Sequence, residues 1–180
     1  EMCIRDSYGT VRNISKVYFD SEQNAMFFNG KNDEDATGIS INNLNYVSGP
    51  SDQLESFTIQ ARIKAKSELT NHGSDERIII SFDRSAVFRL SIGSDADSGV
   101  EGKLVFGFAN EDGSHTSFNS NQSLDLRDDQ WHDIAVQFKA NTQNGLKLFI
   151  DGNLIHSDPN SYKPIGDQDD NETPRYGNIG

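Results

Sequence analysis

Residues 130–157 read QWHDIAVQFKANTQNGLKLFIDGNLIHS, and this stretch decides the fold. From Trp131 onward, His132, Ile134, Val136 and Phe138 fall on one side of an extended chain, with Asp133, Gln137 and Lys139 on the other. That period of two marks a half-buried strand, because successive strand side chains point to opposite faces. A polar loop over 140–145 ends in Asn144-Gly145, a turn pair. The next apolar run, 146–150, meets Asp151-Gly152. Asp-Gly favours a two-residue hairpin, since a type I′ turn needs positive φ at both central positions. Closed that way, Ile150 faces Asn153, Phe149 faces Leu154 and Leu148 faces Ile155. Apolar pairs then lie on both faces of the hairpin, which predicts an interior place in a sheet.

Working outward, residues 57–65 give the clearest second strand. Phe57, Ile59, Ala61, Ile63 and Ala65 point inward, and Thr58, Gln60, Arg62 and Lys64 point to water. Residues 77–82 form a compact apolar run whose length and β-branched content favour a buried strand over a helix. Further alternating runs occupy 87–92, 103–108 and 115–118, with shorter ones at 25–29 and 38–41. Turn pairs and polar loops separate them, no stretch has the apolar spacing of an amphipathic helix, and no internal repeat is present. Short strands at such intervals predict an all-β chain, an antiparallel two-sheet jelly-roll sandwich.

The Trp131-His132 start, the alternating strand, the run Leu146-Lys147-Leu148-Phe149-Ile150-Asp151-Gly152 and the following Leu154-Ile155 resemble the laminin G-like, pentraxin-related modules of the concanavalin A-like superfamily. Residues 55–66 and the Phe28-Asn29-Gly30 start are similar to that family's earlier strands. The resemblance runs from about Val17 to the last residue. It implies a concanavalin A-like sandwich, a fold that hosts lectins, adhesion modules, spacers and glycosidases, so function must come from sites.

With 180 residues the chain suits one sandwich domain. Residues 1–16 are read as a leader, partly non-native or disordered, because the opening EMCIRDS is similar to a translated sequencing-adapter tail. Residues 17–180 are read as a single laminin G-like domain, truncated at the C-terminus where the family continues into further strands. Because the family's first and last strands are neighbours, such a fragment is expected to expose a sheet edge and self-associate. The net charge of −12 and a pI near 4.6 argue against a phosphate backbone as partner. The lone Cys3 excludes an internal disulfide, and no apolar run reaches membrane-spanning length.

Catalysis finds little support. The related glucanases set two Glu and an Asp on one strand, so that alternation aims three carboxylates into one cleft. Here no Glu has an Asp two positions later, and the inward strand positions are apolar. The four histidines, His72, His115, His132 and His156, are joined by no Gly-x-Ser-x-Gly elbow. His132 is read as a structural residue beside a buried Trp131, and His72 and His115 as exposed loop residues.

Calcium is the sharper expectation. Hard cations need several oxygens at short range, and acidic loops supply them: Asp33 and Asp35 in one, Asp95 and Asp97 in another, Asp167, Asp169 and Asp170 in a third. The third begins like an EF-hand loop but lacks its sixth-position Gly, so that reading is rejected. For a sugar, aromatic platforms and hydroxyl-binding polar groups are needed. Arg62 and Arg89 on solvated strand faces, with Tyr162 and Tyr176 near loops, are the candidates. The resulting expectation is a non-catalytic recognition or adhesion module that binds a glycan or an extracellular protein through rim loops. It would belong, with other domains, to a larger extracellular, cell-surface or virion-surface protein without membrane insertion. The alternatives are a ligand-free spacer and, behind it, a glucanase-like hydrolase.

Overall fold

The computed structural model describes residues 9–12, 17–28, 38–41, 53–66, 77–82, 87–93, 99–110, 114–120, 124–166 and 177–180. These form thirteen strands and no helix: β1 (Gly9–Arg12), β2 (Val17–Asp20), β3 (Ala25–Phe28), β4 (Gly38–Ile41), β5 (Ser56–Ile63), β6 (Arg77–Phe82), β7 (Phe88–Ile92), β8 (Leu104–Ala109), β9 (His115–Asn119), β10 (His132–Lys139), β11 (Leu146–Ile150), β12 (Asn153–Asp158) and β13 (Gly177–Ile179). Every pairing is antiparallel. A seven-stranded sheet runs β1-β4-β13-β6-β7-β8-β9, a four-stranded sheet runs β12-β11-β10-β5, and β2-β3 is a separate ribbon. Gly9–Arg12, inside the stretch read as leader, pairs with β4, which also pairs with β13. The last strand is therefore interior to its sheet, between β4 and β6.

The alternation read from the sequence is what joins the layers. Ile134, Val136 and Phe138 on β10 and Leu146, Leu148 and Ile150 on β11 are buried, and the intervening residues face outward. Opposite them, Leu104, Phe106 and Phe108 of β8 and Phe88 and Leu90 of β7 fill the same core. Aromatic rings bridge the two sheets. Phe57 of β5 stacks on Phe88 with centroids 5.3 Å apart, and on its sheet neighbour Phe138 at the same distance. Phe108 meets Phe138 edge-on at 5.9 Å. β6, read as a buried run, is mostly half-buried.

The β11–β12 turn closes as type I′ geometry requires, with φ of 50° at Asp151 and 76° at Gly152. Ile150 faces Asn153 and Phe149 faces Leu154, as the sequence predicts, but Leu148 faces His156 rather than Ile155. The difference is a β-bulge between Leu148 and Phe149 and their partners. An extra residue on one strand shifts its phase. Ile155 stays in the core, and beyond the bulge Asp158 turns inward opposite Leu146. There its carboxylate accepts the Asn160 N–H at 2.8 Å and the Tyr162 hydroxyl at 3.1 Å, so the buried charge is satisfied. The hairpin is interior only on one side: β12 is an edge strand and Leu154 is 52% exposed. The Phe149–Leu154 pair thus lies on an open sheet face.

The β10–β11 loop is held by Gly145. Lys139 N–H donates to the Gly145 carbonyl at 2.9 Å, and Gly145 N–H donates to the Thr142 carbonyl at 3.0 Å. A Cβ on Gly145 would lie 2.1 Å from the Lys139 carbonyl oxygen, a backbone atom with no room to retreat. Gly145→Ala is expected to cost about 1–2 kcal/mol, in the range of overpacking substitutions. Urea unfolding with an unchanged m-value would measure it.

Candidate functional site

The two sheets differ in what they leave open. On β8 the outward Val105 and Ala109 are buried as well as the core residues, and so is Ser91 of β7. By contrast, Ser56, Thr58, Gln60 and Arg62 of β5 and Asp133, Gln137 and Lys139 of β10 all face solvent. Among the described residues, the outer face of the four-stranded sheet offers a ligand access to side chains from several strands.

Registry places those side chains side by side. Arg62 pairs with Asp133, Gln60 with Ala135, Thr58 with Gln137, and Gln137 in turn with Lys147. A shallow groove of about 610 Å³ runs over Thr58, Gln60, Arg62, Asp133, Gln137 and Phe149. A second, of about 470 Å³, runs over Ser56, Lys139, Thr142, Gln143, Asn144 and Lys147. Thr58 and Gln137 line both, so the two form one trough across β5, β10 and β11. Small Ala135 at its middle leaves the depth, and the flanking amides and hydroxyls supply donors and acceptors.

Trp131 stands at one end of the trough. It is half-buried rather than buried, and the guanidinium of Arg62 lies over its ring, 5.9 Å from the centroid. Such a cation–π contact at an exposed site contributes about 0.5–1 kcal/mol. Arg62 Nε is 3.9 Å from Asp133 Oδ1, with both side chains about two-thirds exposed (66% and 68%). An ion pair this long and wet holds its partners weakly. The guanidinium is thus positioned by the indole and remains open to a ligand.

His132, next in the chain, is a structural clamp. Its Nδ1 donates to Asp151 Oδ2 at 2.8 Å and its Nε2 to Asp128 Oδ1 at 3.1 Å. Two carboxylates, one on each ring nitrogen, require both N–H groups and so favour the imidazolium. Burial pulls the His132 pKa down, but the hydrogen bonds and charges of Asp151 and Asp128 together outweigh it and hold it above 6.5. The Asp151 carboxyl is held below its usual range by His132 and by the Asp133 N–H, which it accepts at 2.9 Å through Oδ1. Asp128 is lowered by the Gln130 N–H first and by His132 next. With both nitrogens occupied, His132 has none with which to exchange a proton with a substrate. Sequence reading identified His132 as structural but not its two acids, which come from a loop and from the far hairpin turn. It equally missed Arg127, whose guanidinium grips Asp125 and Glu101, each at 2.7 Å.

The sugar candidates separate. Arg62 lies on the open face. Arg89, on β7, faces away from the core of the other sheet and runs close over Gly107, so the two arginines do not share a surface. Tyr162 packs edge-on against Phe108 and Phe118, both at 5.4 Å, with its hydroxyl on Asp158. Burial, above all, raises its pKa. Tyr176 lies outside the described residues, as do His72 and all the acidic-loop candidates: Asp33, Asp35, Asp95, Asp97, Asp167, Asp169 and Asp170. Among the described residues, no group of three His, Cys, Asp or Glu is placed to hold a metal ion. His115 is exposed, at the start of β9 rather than in a loop.

A laminin G-type family profile matches residues 33–178. The chain belongs to the concanavalin A-like lectin/glucanases superfamily. Among solved structures of this superfamily's sandwich type, the ligand-binding domain of botulinum neurotoxin serotype D, in complex with N-acetylneuraminic acid, aligns with a TM-score of 0.60 at 16% identity over 97% of this chain and 41% of that one. The binding domain of paraclostridial mosquitocidal protein 1 aligns at 0.54 and 13% identity over 99% of this chain and 44% of that one. The serotype G neurotoxin binding domain gives 0.55 and 15%, over 99% and 43%. The chain therefore spans well under half the length of these structures. No curated protein sequence matches. No helix among the described residues is long and apolar enough to cross a membrane.

Proposed function

We propose that this chain is a non-catalytic recognition module that binds a glycan along the outer face of its four-stranded sheet, as part of a larger extracellular or surface protein. The observation that carries the reading is the solvent-open trough lined by Gln60, Arg62, Asp133 and Gln137 from two paired strands, with Trp131 under Arg62 at one end. Amides and a guanidinium at strand spacing match hydroxyl groups repeated along a sugar chain, and the paired strands hold their backbones in place so that only side chains need ordering. A solved domain of the same architecture holds N-acetylneuraminic acid, in keeping with a sugar ligand. The loop-borne site expected from the acidic segments stays a second location for the ligand, with Ca²⁺ as its cofactor.

A glycan-array screen of the 180-residue chain with and without chelator tests both. The sheet-face reading expects chelator-insensitive binding that Arg62→Ala with Gln137→Ala weakens about tenfold, the loss of two polar contacts. The melting temperature should fall by only a few degrees, the loss of the Arg62–Trp131 contact. Binding abolished by chelator and untouched by the double variant would place the site on the loops. An empty array would leave the spacer reading, and turnover of a β-glucan would restore the hydrolase.

A further inference from the structure

The chain has a net charge of −12, yet the open face of the four-stranded sheet runs against that balance. Arg62 and Lys64 stand at the β5 end, and Lys139 and Lys147 at the opposite end of the trough, where they line the same groove. One carboxylate, Asp133, shares the face. Asp151, at the turn beside it, is engaged by His132 and by the Asp133 N–H. Among the described residues, no carboxylate lies within ion-pair distance of the Lys139 or Lys147 side chains. Four cations against Asp133, with Asp151 near Arg62 but held by His132, make this face locally attractive to anions on a chain of negative net charge.

Spacing adds a direction. From Asp133 to Lys139, β10 advances roughly 20 Å at strand rise, long enough for several sugar rings in line. Arg62 sits at one end and Lys139 at the other, with Lys147 level with Gln137 and Thr58, and Gln60 between those and Arg62. Neutral hydrogen-bonding groups between charged ends suit a polymer whose hydroxyls repeat at every residue and whose charges recur at intervals.

We infer that this trough takes an extended anionic polysaccharide, whose carboxylate or sulfate groups meet Lys139 and Lys147 at one end and Arg62 at the other. This rests on the glycan reading above and adds the charge class of the ligand. Arg62 offers a planar fork that matches an oxyanion, and the indole beneath holds it in place.

Affinity electrophoresis of the 180-residue chain tests it, in gels containing polygalacturonate, alginate or chondroitin sulfate. Fully methyl-esterified polygalacturonate and hydroxyethylcellulose serve as uncharged counterparts. Retardation by at least one anionic polymer is expected, little by the uncharged ones, and loss of the effect at about 1 M salt, where screening is nearly complete beyond contact. The uronate and sulfate gels distinguish the two anion sources. The double variant K139Q/K147Q should weaken binding roughly fivefold, the loss of two exposed charge contacts, with unchanged melting. Equal retardation by the esterified polymer would overturn the charge class while leaving glycan recognition standing. No retardation in any gel would overturn both. Full retention of binding by K139Q/K147Q would remove the ligand from this trough, and binding of a single-stranded oligonucleotide alone would assign the face to nucleic acid instead.

Discussion

Phe106→Ala is expected to lower stability by about 3–5 kcal/mol, the cost of deleting a fully enclosed aromatic side chain. Phe106 has no solvent exposure, and its ring lies 6.0 Å from Phe88 and from Phe108, and 6.2 Å from Phe57 across the sandwich. The substitution removes both the transfer energy of the ring and its part in the aromatic bridge between the sheets. A domain of this size has about 5–15 kcal/mol in total, so the variant should melt far below the parent or fail to accumulate folded. Phe106→Leu, which refills most of the volume, should recover the larger part of the loss. Near-parental unfolding of Phe106→Ala in urea would show that the two sheets are not joined through these rings.

His132→Ala should cost about 2–3 kcal/mol, through lost packing and two abandoned acceptors that water in part rescues. The more telling readout is pH. His132 is held above 6.5 in the folded chain, so its contribution is complete below that pH. It fades as pH rises through the raised folded value, where the native state also loses the proton. Asp151 and Asp128 are held below 3.8, so their contributions are complete above it and fade as pH falls through the lowered folded values. The clamp should therefore give a stability plateau between about 4 and 6.5, with a decline on each side. Melting curves from pH 5 to 9 should show the alkaline decline in the parent and its loss in His132→Gln. An identical decline in both proteins would mean that the clamp does not hold the imidazolium.

The clamp also shows how far a linear reading reaches. Trp131-His132 marks a strand start in the sequence, and the period of two correctly buries His132 with Ile134. Its acids could not be assigned that way. Asp128 is four residues upstream, a spacing that brings side chains together on a helix and not along an extended chain, and Asp151 lies across a hairpin. Arg62 was legible as an outward residue of β5, but its stacking on Trp131 depends on β5 pairing with β10, a contact between segments about seventy positions apart.

Hairpin register divides in the same way. The Asp151-Gly152 turn dictates its first two partner pairs, because the positive φ values leave one way to close. The third pair depends on the bulge, with which Ile155 and Asp158 both lie inside, one in the core and one on Asn160 and Tyr162.

From the sequence by itself, then, came most of the strands, their inward faces and the two-layer architecture, since alternation is a local property that burial must honour. Gly9–Arg12 and Gly177–Ile179 were not read as strands. Which sheet face stays open, and which polar groups gather there, was decided by tertiary structure. β5 is distant in the chain from β10 and β11, and only antiparallel pairing sets Arg62, Gln137 and Lys147 along one trough.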